Sequence, residues 1–181
     1  PKGYKNPHAI TIEEIVVDTQ SITKEKLVFD QIGTSGTHVY LEVTDKGTNL
    51  STLKKNMDAN KKDKAKSDNP IKVIIDELYV REAKLSPLTT LTNKDVSDVK
   101  LPNLTLNGIG EKSGGVVASE AIEQVLDPLI RSAMIQSAKA GMLEGLDQSV
   151  IQSLDLPSGM SSMFNDGGKA IEDTVKGLFS N

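Results

Sequence analysis

One short pattern constrains this chain more than any single residue: an apolar residue, an acid, any residue, then Ile or Leu, set each time inside a stretch that alternates like a strand. It reads Ile12-Glu13-Glu14-Ile15, Phe29-Asp30-Gln31-Ile32 and Ile75-Asp76-Glu77-Leu78, with a looser relative in Leu104-Thr105-Leu106-Asn107-Gly108-Ile109. A unit that returns with its inside-outside pattern preserved predicts a sheet built by adding similar strands.

The core of such a sheet must be aliphatic, because the chain has three Phe, three Tyr and no Trp. At 181 residues there is material for one domain with an appended helical segment. The net charge of −4 advertises no basic face, and Arg81 and Arg131 are the only arginines, which argues against a reader of nucleic acid built on guanidinium forks. Without cysteine there is no disulfide, thiolate metal site or cysteine nucleophile. No run of about eighteen apolar residues spans a membrane. Because the first residue is Pro1, we expect the natural start, with any targeting segment or membrane anchor, to precede it.

Along the chain, Ile10 and Ile12 alternate, and the parity changes through Glu13-Glu14 to place Ile15 and Val17, which predicts a bulge or bend. Leu27 to Ile32 and Thr37 to Val43 flank Gly33-Thr-Ser-Gly36, read as a hairpin turn between antiparallel strands. In the second of them Val39, Leu41 and Val43 share one side, with His38, Tyr40 and Glu42 on the other. Leu50, Leu53 and Met57 then fall on a helical stripe that Thr48 or Asn49 can cap. The lysine-rich stretch from Asn60 to Pro70 has little to bury and is expected to be a mobile loop; its interleaved Asp63 and Asp68 disfavour docking to anionic lipid.

Alternation returns at Ile71 to Val80, with Val73, Ile75 and Leu78 facing one way. It continues through Arg81 to Leu91, where Pro87 marks an edge or a strand end, and from Val96 to Ile109, with a bend at Pro102. After Gly110 to Gly115 a wide helical stripe runs through Ala118, Ala121, Ile122, Val125, Leu126, Leu129, Ile130, Ala133, Met134, Ala138 and Met142. Ser119 is its expected cap, and Asp127-Pro128 is expected to kink or divide it. Beyond it lies a Ser-, Gly- and Met-rich tail ending in an amphipathic segment, Lys169 to Phe179. The expected organisation is a sheet module over 1–110 with a loop at 60–70, an amphipathic helix packed on or capping the sheet within 111–146, and a tail over 147–181 with a short terminal helix.

Catalytic chemistry finds little footing. His8 and His38 are isolated, with no ligand spacing between them, and no G-x-S-x-G elbow accompanies the many Ser and Asp residues. The adjacent acids Glu13-Glu14 and Asp76-Glu77 lie in strands, where neighbours face opposite sides and cannot share one substrate atom. Gly114-Gly115 lacks the frame of a phosphate loop. We therefore expect no enzyme, no catalytic residue, no metal site and no cofactor.

The order Pro1-Lys-Gly-Tyr-Lys-Asn-Pro-His-Ala-Ile10, Ile12-Glu-Glu-Ile-Val-Val-Asp18, Leu27-Val-Phe-Asp-Gln-Ile32 and Thr48-Asn-Leu-Ser-Thr-Leu53 resembles the AsmA-like family of bacterial envelope proteins. The match covers about residues 1 to 109, and residues 115 to 181 resemble the helical tail of small single-unit members. The resemblance implies an amino-terminal inner-membrane anchor, absent from this chain, and a periplasmic body. Larger relatives are thought to form long curled sheets whose apolar inner surface carries phospholipid between two membranes. With about 3.3 Å per strand residue and about 4.8 Å between strands, one module is too short to bridge an envelope alone.

The expected fold is thus α+β: a curved, mainly antiparallel sheet of AsmA-like repeats, a short helix after the first strands and a C-terminal amphipathic helical segment. The expected function is a membrane-anchored periplasmic module that binds phospholipid, fatty acid or another hydrophobic ligand on an apolar face. Its candidate residues are Ile12, Ile15, Val28, Val39, Leu41, Val73 and Ile75. The rival reading is a structural or self-assembling envelope protein with a packed core, forming homo-oligomers through open sheet edges or through the tail.

Overall fold

In the computed structural model, residues 2–64, 70–92, 95–142, 144 and 146 are described. The alternating stretches become β1 (Ile10–Thr11), β2 (Glu14–Ile22), β3 (Lys26–Ser35), β4 (His38–Thr44) and β5 (Gly47–Thr48). After helix α1 (Asn49–Lys64) come β6 (Lys72–Val80), β7 (Lys84–Thr89), β8 (Val99–Lys100), β9 (Leu104–Ile109) and β10 (Val116–Val117), and then helix α2 (Ala118–Lys139). The class is α+β, mostly strands.

Two mixed sheets result. One has the order β1-β4-β7-β8 with β5 also on β4; the other has the order β10-β6-β3-β2 with β9 also on β6. The outer pairings are antiparallel, as expected of most, but the central pairs β3 with β6 and β4 with β7 are parallel. A parallel pair needs a long crossover, and α1 supplies it.

The expected hairpin at Gly33 to Gly36 is not one. β3 and β4 lie in different sheets, and Gly36, at φ 62°, is where the chain passes between them. The turn residues were read correctly as a change of direction, but the partner of each strand is far away in sequence. The same passage occurs in each neighbour: between β1 and β2, β6 and β7, and β8 and β9. Register survives the crossing. Thr34 lies opposite Val80 and His38 opposite Lys84, so the partner number is 46 higher on both sides of the corner. At the corner itself the ladder continues through Arg81 N–H to Thr34 O (3.2 Å) and Lys84 N–H to Thr37 O (2.9 Å).

The recurring sequence pattern marks a row across the β3 sheet. Phe29 is opposite Ile75 and Ile32 opposite Leu78, while Ile75 faces Ile109 and Leu78 faces Leu106. Positions three apart in a regular strand point to opposite faces. Here both ends of the Phe29–Ile32 and Ile75–Leu78 patterns pack on the same core, whereas Ile12 and Ile15 are exposed. The acid and its neighbour absorb the extra residue, and adjacent strands shift parity together. Gly108 at φ 67° does this in β9, and β2 carries a register irregularity between Asp18 and Ser21 in the same row.

Thr48 caps α1 by accepting the Ser51 N–H at 3.0 Å. Asn49 instead ties the helix to β4: its Oδ1 accepts the Glu42 N–H, and its Nδ2 donates to Tyr40 O. The helix continues to Lys64, into the stretch expected to be loop, since Lys and Ala favour helix wherever nothing opposes it. Residues 65–69 of that expected loop, and the tail over 147–181, lie outside the described residues. Val117, not Ser119, stands at the N-terminus of α2, without a side-chain cap, and Pro128 lies inside an undivided helix. An interior proline costs about 3 kcal/mol. Burial of Leu129, Ile130, Ala133, Met134 and Ile135 around it offsets that cost.

α2 packs against β4 and β7 of one sheet and β6, β9 and β10 of the other. Val39, Leu41, Val43 and Leu85 from the first sheet and Val73, Ile75, Leu78, Val80, Leu104 and Ile109 from the second therefore share one core with the helix.

Candidate functional site

Directly opposed residues in adjacent strands share a face, so the ladder gives the apolar side of the β3 sheet row by row. From β2 inward the rows are Ile15, Thr34, Val80 and Leu104; Val17, Ile32, Leu78 and Leu106; and Thr19, Phe29, Ile75 and Ile109. The last row is Ile22, Leu27, Val73 and Val116. Only Thr19 and Thr34 interrupt it with hydroxyls. Cover is greatest on β6 and least on β2. Leu78 is 6% exposed, Ile32 half-buried and Val17 48% exposed; in the last row Val73 is buried while Ile22 is 71% exposed. The helix reaches β6 and β9, and every residue of β2 is exposed.

The seven sequence-derived candidates do not gather on one open surface. Val39 and Leu41 are fully buried, and Val73 and Ile75 nearly so, all in the core shared with α2. Val28 lies opposite Ile74 on the other face of the β3 sheet. Ile15, at 57%, is exposed on the apolar face, and Ile12, also exposed, sits where β1 gives way to β2. Alternation thus misplaced Val28, which faces the other side of the sheet, and did not tell which of the inward residues a helix would cover. Val17 and Ile22 complete the bare edge on β2, bordered by half-buried Leu27, Phe29 and Ile32 on β3, and their signal was the continuing alternation of those two strands.

A second surface lies at the corner between the sheets. A cleft of about 550 Å³ is lined by Glu13, Gly36, His38, Glu82, Lys84 and Lys100 among others. His38, Lys84 and Lys100 stand directly opposite one another on β4, β7 and β8. Next to the cleft, Ser86 Oγ donates to Asp98 Oδ1 at 2.6 Å and lies 2.7 Å from His38 Nε2. Because the serine proton is directed at the carboxylate, the imidazole must donate to Ser86. That order, His to Ser to Asp, is the reverse of one that activates a serine nucleophile.

Sequence reading also passed over Glu42. It is 2% exposed, and its carboxylate accepts the N–H groups of Lys5 and Asn6 at 2.8 to 3.1 Å, fastening the amino-terminal segment to β4. Among the described residues no group of three His, Cys, Asp or Glu is placed to hold a metal ion. Among the same residues no helix is long and apolar enough to cross a membrane. No family model, curated protein or solved structure matches the chain.

Proposed function

We propose that this protein is a non-enzymatic envelope module that holds lipid or another hydrophobic ligand against the bare half of the apolar sheet face, in the manner of a small AsmA-like unit. In this reading the two sheets act as one curved sheet turned through its corner, the full-length protein is held at the inner membrane by an anchor, and the body lies in the periplasm. The observation that carries the reading is the apolar ladder that continues from half-buried Ile32 and Phe29 onto exposed Val17, Ile15 and Ile22. Covering three half-exposed aliphatic side chains of this kind is worth roughly 3 to 5 kcal/mol, enough to hold an acyl chain.

The test is native mass spectrometry of gently purified protein, with organic extraction of the same sample. Phospholipid or fatty acid at stoichiometric amounts, lost in a Val17→Asp/Ile22→Asp variant of unchanged thermal midpoint, is the expected result. Lipid-free protein would overturn the reading. A second reading has its own observation: among the described residues β2 pairs only with β3, so within them it presents an unpaired edge to another strand. A dimer mass without lipid, abolished by proline at Val16 or Asp18, would favour a self-assembling structural protein.

A further inference from the structure

The corner cleft carries charges of both signs in separate places. The register puts His38, Lys84 and Lys100 in one row across three strands. Like charges placed directly opposite are destabilising, yet among the described residues neither lysine makes an ion pair. The acids sit at the corner line instead. The Glu13 carboxylate packs over Gly36, and Glu82 follows the 46-residue register that relates Thr34 to Val80 and His38 to Lys84, which sets it beside Gly36. Among the described residues neither acid forms an ion pair. Two residues of chain, roughly 6 to 7 Å when extended, separate Glu82 from Lys84 and Gly36 from His38.

The backbone holds this division in place. Glu82 has φ 55°, a left-handed conformation that costs a side-chain-bearing residue about 1 kcal/mol or more. Asn103 Oδ1 accepts its N–H at 3.3 Å. On the other side, His38 Nε2 donates to Ser86, which fixes the imidazole beside the two lysines as a neutral wall of the cleft.

We propose that the corner cleft binds a small zwitterion, an amine joined by a short linker to a phosphate ester, with the amine at Glu13 and Glu82 and the oxyanion at Lys84 and Lys100. An anion alone would meet two carboxylates, and a cation alone two lysines; a molecule carrying both satisfies the whole cleft. The same chemistry occurs in a free aminoalkyl phosphate and in a lipid headgroup. This site is independent of the apolar face.

The experiment titrates the 181-residue chain with O-phosphoethanolamine, followed through the backbone amide signals of residues 36–38 and 82–84. Saturable shifts are expected. Lys84→Ala/Lys100→Ala and Glu13→Gln/Glu82→Gln, all exposed positions, should each weaken binding about fivefold, as expected for two partly solvated charge pairs. Inorganic phosphate and ethanolamine alone should each bind more weakly than the joined molecule. Retention on phosphatidylethanolamine vesicles but not phosphatidylglycerol vesicles, with no response to the free compound, would assign the headgroup as the source. No saturable response in either arm, an equal response to inorganic phosphate, or indifference to both double variants would overturn the proposal. Lipid found on the apolar face beside an unresponsive cleft would sink this proposal alone.

Discussion

The two halves of one apolar face have the same sequence character and opposite fates. On β6 and β9 the ladder residues Val73, Ile75, Leu78, Leu104 and Ile109 are buried under α2; on β2 their row-mates Ile15, Val17 and Ile22 face solvent. Nothing in the alternation of either half announces the difference. What separates them is reach: α2 touches β4, β6, β7, β9 and β10, and its contact fades toward the β2 edge. One apolar face can thus be core in one half and open surface in the other.

The sharpest way to break this comparison is to place a charge on each half. Leu41→Asp buries an unpaired carboxylate and should cost about 4 kcal/mol or more, leaving a chain that does not fold cooperatively by circular dichroism. Ile22→Asp should cost under about 0.5 kcal/mol while removing bound lipid. If both variants unfold alike, the bare half is not bare. A milder pair asks the same of packing alone. Leu78→Ala should lose about 3 kcal/mol in urea titration through its cavity, and Val17→Ala less than about 1 kcal/mol.

Smaller effects test what sets the corner and the cover. Glu82→Gly should raise stability by about 1 kcal/mol, since glycine adopts φ 55° without strain; a loss would show that the side chain supports the fold. Lys54 of α1 reaches Asp127 of α2 at 2.6 Å, a partly exposed pair that should contribute about 0.5 kcal/mol, read as the shift on Asp127→Asn. Ser137 Oγ is buried on α2 without a hydrogen-bond partner. Ser137→Ala should therefore be neutral or stabilising by up to about 1 kcal/mol, tightening the covered half and leaving lipid binding unchanged.

Much of the fold was legible. The inward set Val39, Leu41 and Val43, the parity of Val73, Ile75 and Leu78, the bend at Pro102 and the cap at Thr48 all follow from period and side-chain chemistry. Pro87 also fits: β8 pairs with β7 only at Lys84 and Leu85, so β7 is an edge at Pro87. The readings that missed concern partners. Gly33 to Gly36 signalled a change of direction, but a hairpin and a passage between sheets use the same residues, and only the parallel neighbour 46 positions on distinguishes them. The spacing of Phe29-Asp30-Gln31-Ile32 from Ile75-Asp76-Glu77-Leu78 already held that number. Pro128 signalled a kink or a division, and the helix runs through it undivided.

By itself, the sequence determined the local periods: which residues alternate, where parity slips by one, and where a helix can start. Those depend on neighbours within a few positions, through sterics and the spacing of side chains. Which apolar residues become core and which remain a surface was decided only by tertiary structure. Burial depends on what lies across the gap, and a helix of fixed length that must pack on two sheets cannot also cover their farthest strand.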